Sequence, residues 1–127
     1  MQSSIKWFEI FVADLPRATR FYEATLDGKL RPEKSDGMEM AILPYAEPGV
    51  GGALCQSSGL KPGDGGTRIY LPAGKGEAAL DAAVRRAREA GGMVTLAKQA
   101  IGPHGWIALV RDTEGNTVGL HAHPQSL

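Results

Sequence analysis

Trp7, Glu9 and Phe11 alternate within the segment Ile5 to Val12. An extended strand there puts an indole, a carboxylate and a phenyl ring on one face, with Phe8, Ile10 and Val12 on the other. A carboxylate with an apolar neighbour on either side suits a proton-transfer base, so Glu9 is the candidate for that role. A second strand carries Arg68 and Tyr70 on one face, opposite Thr67, Ile69 and Leu71. The planar fork of a guanidinium matches the carboxylate, enolate or phosphate of a small ligand, which makes Arg68 a candidate anchor. The plainer alternative is a structural ion pair between Arg68 and Glu9 on neighbouring strands.

Three histidines add to this set. His121 and His123 share a strand face, and His104 lies in the loop Gly102 to Gly105. Two histidines at i,i+2 can hold a metal, with Glu9 as a third donor. As a single residue, His121 alternates with Leu120 and so points into a groove as a ligand contact. Trp7, Phe11, Tyr70 and Trp106 supply the aromatic lining that small-molecule pockets have. The bland reading is that Trp7 and Phe11 only fill a seam. Cys55 stands in an apolar context and reads as a core residue, not a nucleophile. The glycines at 51, 52, 63, 65 and 66 lack the Lys and Ser/Thr of a phosphate loop, so nucleotide binding is not expected.

These residues need a scaffold, and the chain repeats one. The strand Ile5 to Val12 is followed by Asp14, which can cap a helix, and Pro16, where a missing N–H costs little. Leu15, Ala18, Phe21, Tyr22 and Leu26 follow at helical spacing, and Gly28 can close the helix. Lys29 to Lys34, the hairpin signal Ser35-Asp36-Gly37, Met38 to Leu43 and Gly51 to Gln56 give three more strands. Pro32 places the first of these at a sheet edge. Thr67 to Leu71, the helix Glu77 to Ala90, and the strands Met93 to Ile101, Gly105 to Arg111 and Thr117 to His123 repeat the order.

Strand, helix and three strands thus occur twice, with Trp7 and Arg68 in corresponding places. The fold expected is α+β: two βαβββ modules, about 4–58 and 66–124 of one domain spanning 1–127. They would form a curved eight-stranded mixed sheet around a groove, with the helices outside.

The chain has 127 residues, 14 Lys and Arg against 14 Asp and Glu, and one cysteine. No net field draws it to nucleic acid or an anionic membrane, and a lone cysteine suits a reducing compartment. With no leader before Lys6 and no apolar run long enough for a bilayer, a cytoplasmic protein without membrane partners is expected.

The run Val12-Ala13-Asp14-Leu15, followed by Phe21-Tyr22 and Leu26-Asp27-Gly28, resembles the opening of a vicinal oxygen chelate module. Asp112-Thr113-Glu114-Gly115-Asn116 with Val118-Gly119-Leu120 resembles the closing hairpin of that superfamily. It includes glyoxalase I, extradiol dioxygenases, fosfomycin-resistance enzymes and bleomycin-binding proteins. The resemblance implies a small-molecule groove and frequent homodimerisation, but no single reaction.

Metal-using members hold a divalent cation through His, Gln and Glu on four strands. Carried over by position, those sites fall on Trp7, near Gln56, on Arg68 and on Gly119. The resemblance therefore implies that the usual metal is replaced, that no cofactor is held, and that Arg68 brings a positive charge near the vacated place. Two functions stay open. One is a glyoxalase-like lyase or isomerase moving a proton next to a carbonyl, with Arg68 as anchor, Glu9 as base, and Tyr70 and His121 as orienting donors. The other is a non-catalytic protein sequestering a planar, aromatic or anionic small molecule, as bleomycin-resistance-like members do.

Overall fold

Asp14 caps the first helix as its position requires: its carboxylate accepts from the Arg17 amide at 3.0 Å, and Pro16 stands in the first turn. In the computed structural model, which describes residues 3–35 and 37–124, this helix α1 spans Leu15–Leu26. Asp36, central to the expected hairpin signal, lies outside the described residues. The helix closes on Asp27 in the left-handed region (φ 54°), one residue before the expected Gly28.

The strand before it, β1, spans Trp7–Phe11; β2 (Arg31–Ser35), β3 (Met38–Ile42) and β4 (Gly51–Gln56) follow. The second module runs β5 (Tyr70–Lys75), α2 (Glu77–Glu89), β6 (Met93–Ala100), β7 (Trp106–Arg111) and β8 (Thr117–His123). Both expected βαβββ modules are present, and their strands bond four and four, in the orders β1-β4-β3-β2 and β5-β8-β7-β6. The identical order is the duplication made visible. In each sheet the first strand pairs in parallel with the last, and it lies at an edge.

The register corrects one internal correspondence. Trp7 pairs with Gly51 and Phe11 with Cys55; in the second sheet Tyr70 pairs with Gly119 and Lys75 with His123. Tyr70, not Arg68, is therefore the counterpart of Trp7. β5 begins at Tyr70, three residues after the expected start at Thr67, and an irregularity between Pro72 and Gly74 inserts one residue. Pro72 is tolerated in this strand because it pairs only with β8.

One core serves both modules. Ile10, Val12, Phe21, Tyr22 and Leu54 of the first join Leu71, Leu80, Val110 and Leu120 of the second. α1 and α2 touch, and Arg86 of α2 donates to the Thr25 carbonyl from Nε at 3.2 Å and Nη2 at 3.1 Å. These bonds satisfy a carbonyl near the end of α1 that the helix itself leaves unpaired.

The turn between β7 and β8 fastens the modules further. Glu114, its side chain fully buried, accepts from the amides of Ala13 and Asp14 at 3.0 Å each and from Arg17 Nε at 2.7 Å. Thr113 and Arg17 Nη2 complete its shell at 2.8 and 2.9 Å. Burial alone would raise its pKa, but the hydrogen bonds from Arg17, Thr113 and the two amides outweigh it and hold it down at about 2. Asn116 Nδ2 donates to the Phe11 carbonyl at 2.9 Å, and the buried Tyr22 hydroxyl donates to Asp112 at 2.6 Å. The segment that resembles a family signature is thus a brace for the end of β1 and the start of α1.

Candidate functional site

Each sheet turns one face to its helix and leaves the other open. On the open face of the first sheet, register sets Glu9, Ala53, Ile42 and Arg31 in one row. Phe11, Cys55, Met40 and Glu33 form the next. Met40, Ile42, Ala53 and Cys55 are buried there as a second apolar cluster, with Phe11, Met38 and Leu60 against it. Burial first, and the Glu9 charge second, push the Cys55 thiol up to about 11, so it stays protonated and unreactive. On the open face of the second sheet, Tyr70, Gly119, Leu109 and Leu96 share one row, and Pro72, His121 and Ile107 share the next.

Three aromatic rings lie on three glycines. A Cβ at Gly52 would stand 2.5 Å from the Phe8 ring, and one at Gly51 would stand 2.5 Å from the Tyr45 ring. A Cβ at Gly119 would fall inside the van der Waals shell of the Tyr70 ring. Contact this close needs a residue without a side chain. Tyr45 in turn meets Trp7 edge to face, with ring centroids 6.1 Å apart.

Around these rings the chain leaves two adjoining hollows. The first, about 460 Å³, lies at the seam of the modules. Phe8, Leu26, Leu43 and Ile69 form its apolar walls, and Arg68 and Tyr70 line it beside them. Arg68 is its only charged liner and makes no ion pair among the described residues. The second hollow holds Trp7 and Tyr45 with the opposed charges of Lys6 and Glu47. The two share Ile5, Val50 and Gly51, which stand at the entry ends of β1 and β4.

The structure brings Arg68 and Tyr70 to one hollow and puts Trp7 in the next. Glu9 and Phe11 stay on the open face of the first sheet, and no ion pair joins Glu9 to Arg68. The expected convergence of Trp7, Arg68 and Gly119 in one hollow is corrected: Gly119 lies under Tyr70 and lines neither. Gln56 is also displaced from a ligand role, because its Oε1 accepts from the Leu15 amide at 2.6 Å and so serves the start of α1. Trp106 pairs with Ala122 and packs on the core side, which removes it from the aromatic lining. His121 bonds the His104 carbonyl at 2.7 Å through Nε2, and its ring meets His123 edge to face at 4.7 Å. Glu9, in the other sheet, is no third donor to that pair.

The divalent cation that the resemblance implies does not fit these residues. An indole offers no lone pair, the Gln56 oxygen is engaged by the Leu15 amide, and the place opposite Gly119 is taken by Tyr70, whose ring covers that glycine. Tyr45 is the site residue that sequence reasoning missed. Its only signal was an aromatic set in the proline-flanked loop Pro44 to Pro48.

Comparison with known proteins agrees with this architecture. The sequence model of the Glyoxalase/Bleomycin resistance protein/Dioxygenase superfamily matches residues 4–120. No curated protein matches the chain. Among solved structures it is similar to a glyoxalase-related enzyme from Fulvimarina pelagi, with TM-score 0.71, 16% identity, and coverage of 97% of this chain and 89% of that one. A hypothetical protein SA1046 from S. aureus gives TM-score 0.69 at 18% identity, covering 96% and 95%. The fosfomycin resistance protein FosX from Mesorhizobium loti gives 0.61 at 16%, covering 96% and 92%. At these identities the likeness is one of fold.

Proposed function

Because the chain belongs to the Glyoxalase/Bleomycin resistance protein/Dioxygenase superfamily, we propose that it binds a small organic anion in the seam hollow, with Arg68 as the anchor and without the family's divalent metal. One observation carries this reading: an apolar cavity of about 460 Å³, within the usual range for ligand sites, has a single charged side chain on its wall. Phe8 and Tyr70, each packed against a glycine, supply aromatic surface beside that charge. Binding alone is the function this geometry supports best.

A second reading, proton transfer next to a carbonyl with Glu9 as base, rests on a separate observation. The Glu9 carboxylate stands in a row with Ala53 and Ile42, exposed and without an ion-pair partner among the described residues. One experiment separates the two. Small carboxylates and keto acids are incubated with the protein in D₂O and followed by NMR. Line broadening reports binding, and deuterium next to the carbonyl reports proton transfer. Arg68→Gln is expected to weaken binding about 10- to 100-fold, the worth of a charge-assisted hydrogen bond. Unchanged affinity removes Arg68 as anchor. Deuterium incorporation by the wild type that stops in Glu9→Gln establishes the enzyme reading, and no incorporation by the wild type leaves the binder.

The protein acts as a homodimer in this proposal. Tyr70, Met93 and Leu96, at 46%, 60% and 37% exposed, leave apolar side chains of the second sheet uncovered, and both sheets have free edges. Sedimentation should give twice the 13.4 kDa of one chain, and a monomer at micromolar concentration would overturn it. No helix among the described residues is long and apolar enough to cross a membrane.

A further inference from the structure

Resting on the ligand reading above, we infer that the two hollows form one bipartite site for an elongated amphipathic anion, its acid group at Arg68 and its aromatic end against the Trp7–Tyr45 pair. The hollows are not independent, because Ile5, Val50 and Gly51 wall both. An occupant that fills the seam therefore touches residues that also bound the front hollow. Gly51 cannot carry a side chain without meeting the Tyr45 ring, so the shared wall is one isoleucine, one valine and bare backbone, with that ring on the front side.

Polarity sets the direction of the occupant. The seam hollow has an unopposed cation in Arg68, whereas Lys6 and Glu47 offset each other in the front hollow. An acid group belongs at the seam end. At the front end, Trp7 and Tyr45 remain 39% and 45% exposed while already in edge-to-face contact. A third ring completes that cluster and removes exposed apolar surface from water, as does a chain lying over Ile5, itself 50% exposed.

A series of ω-phenylalkanoates tests this by isothermal titration of the full chain. Phenylacetate is short enough to stay at Arg68, and 4-phenylbutanoate and 6-phenylhexanoate reach progressively further. Affinity should rise at least tenfold from the first to the last. Arg68→Gln should weaken all three by a similar factor. Trp7→Ala and Tyr45→Ala, both at exposed positions, should weaken 6-phenylhexanoate about tenfold and leave phenylacetate unchanged. In the wild type, transferred NOEs should link the phenyl protons of the long probe to the Trp7 indole. Phenylacetate binding with no gain in the longer probes, or equal weakening of short and long probes by Trp7→Ala, overturns the bipartite site while the single seam site stands. Failure of all three probes to bind overturns both.

Discussion

Glu114→Ala should lower the stability of the fold by about 2–4 kcal/mol at neutral pH, in the upper range for a single substitution. Arg17 is half exposed and is not stranded by the change, so the cost does not come from a buried orphan charge. It comes from the amides of Ala13 and Asp14, which lose their acceptor, and from the hydrogen bonds of Arg17 and Thr113. The pH dependence gives an independent reading. The carboxyl titrates at about 2 in the fold against an ordinary 4.5. A group depressed in this way stabilises above its unfolded value and loses that contribution as pH falls from about 5 to about 2. A displacement of that size corresponds to about 3 kcal/mol, in line with the mutational figure. Urea melts at pH 7 and pH 3 measure both. The wild type should lose more stability between the two pH values than the variant does, and equal losses would remove the brace from the account.

Gly119→Glu restores in composition the acidic residue that the resemblance places on the last strand, yet it should create no cation site. Its Cβ must enter the space of the Tyr70 ring, so the variant is expected to lose about 1–3 kcal/mol through overpacking. The strand opposite offers Tyr70 at the paired position, and Trp7 of the other sheet gives no ligand either. Titration with nickel or zinc should show no stoichiometric binding, and the thermal midpoint should fall. Adding Tyr70→Ala should recover much of the midpoint by vacating the ring's volume. Tight metal binding by Gly119→Glu alone, at an unchanged midpoint, would contradict the claim that tyrosine has taken the place of the ligand.

Much of this architecture was legible before any coordinate. Alternation around Trp7, the Asp14 cap, the periodic faces of both helices and the doubled order of elements are local patterns, and local patterns survive folding. The errors are of another kind. The pairing of Arg68 with Trp7 fails because two residues separate β1 from the cap of α1 and none separate β5 from Gly76, a difference that alternation within the strands does not register. The engagement of Gln56 by the Leu15 amide is invisible in sequence because the two residues stand 41 apart. Trp106 alternates correctly but on the core side, which only the pairing with Ala122 reveals. The same distance hides Glu114, whose partners lie about a hundred positions earlier and whose type alone suggests a solvated turn.

That separation has a consequence for biosynthesis. A nascent chain makes β1 and α1 early, but the acceptor for the amides of Ala13 and Asp14 is synthesised only about a hundred residues later. Contacts of such long sequence separation form late and slow the folding of small domains. The start of α1 therefore lacks this acceptor until the turn between β7 and β8 is made. A stop codon ahead of residue 114 would remove the latch from a segment whose own sequence is intact.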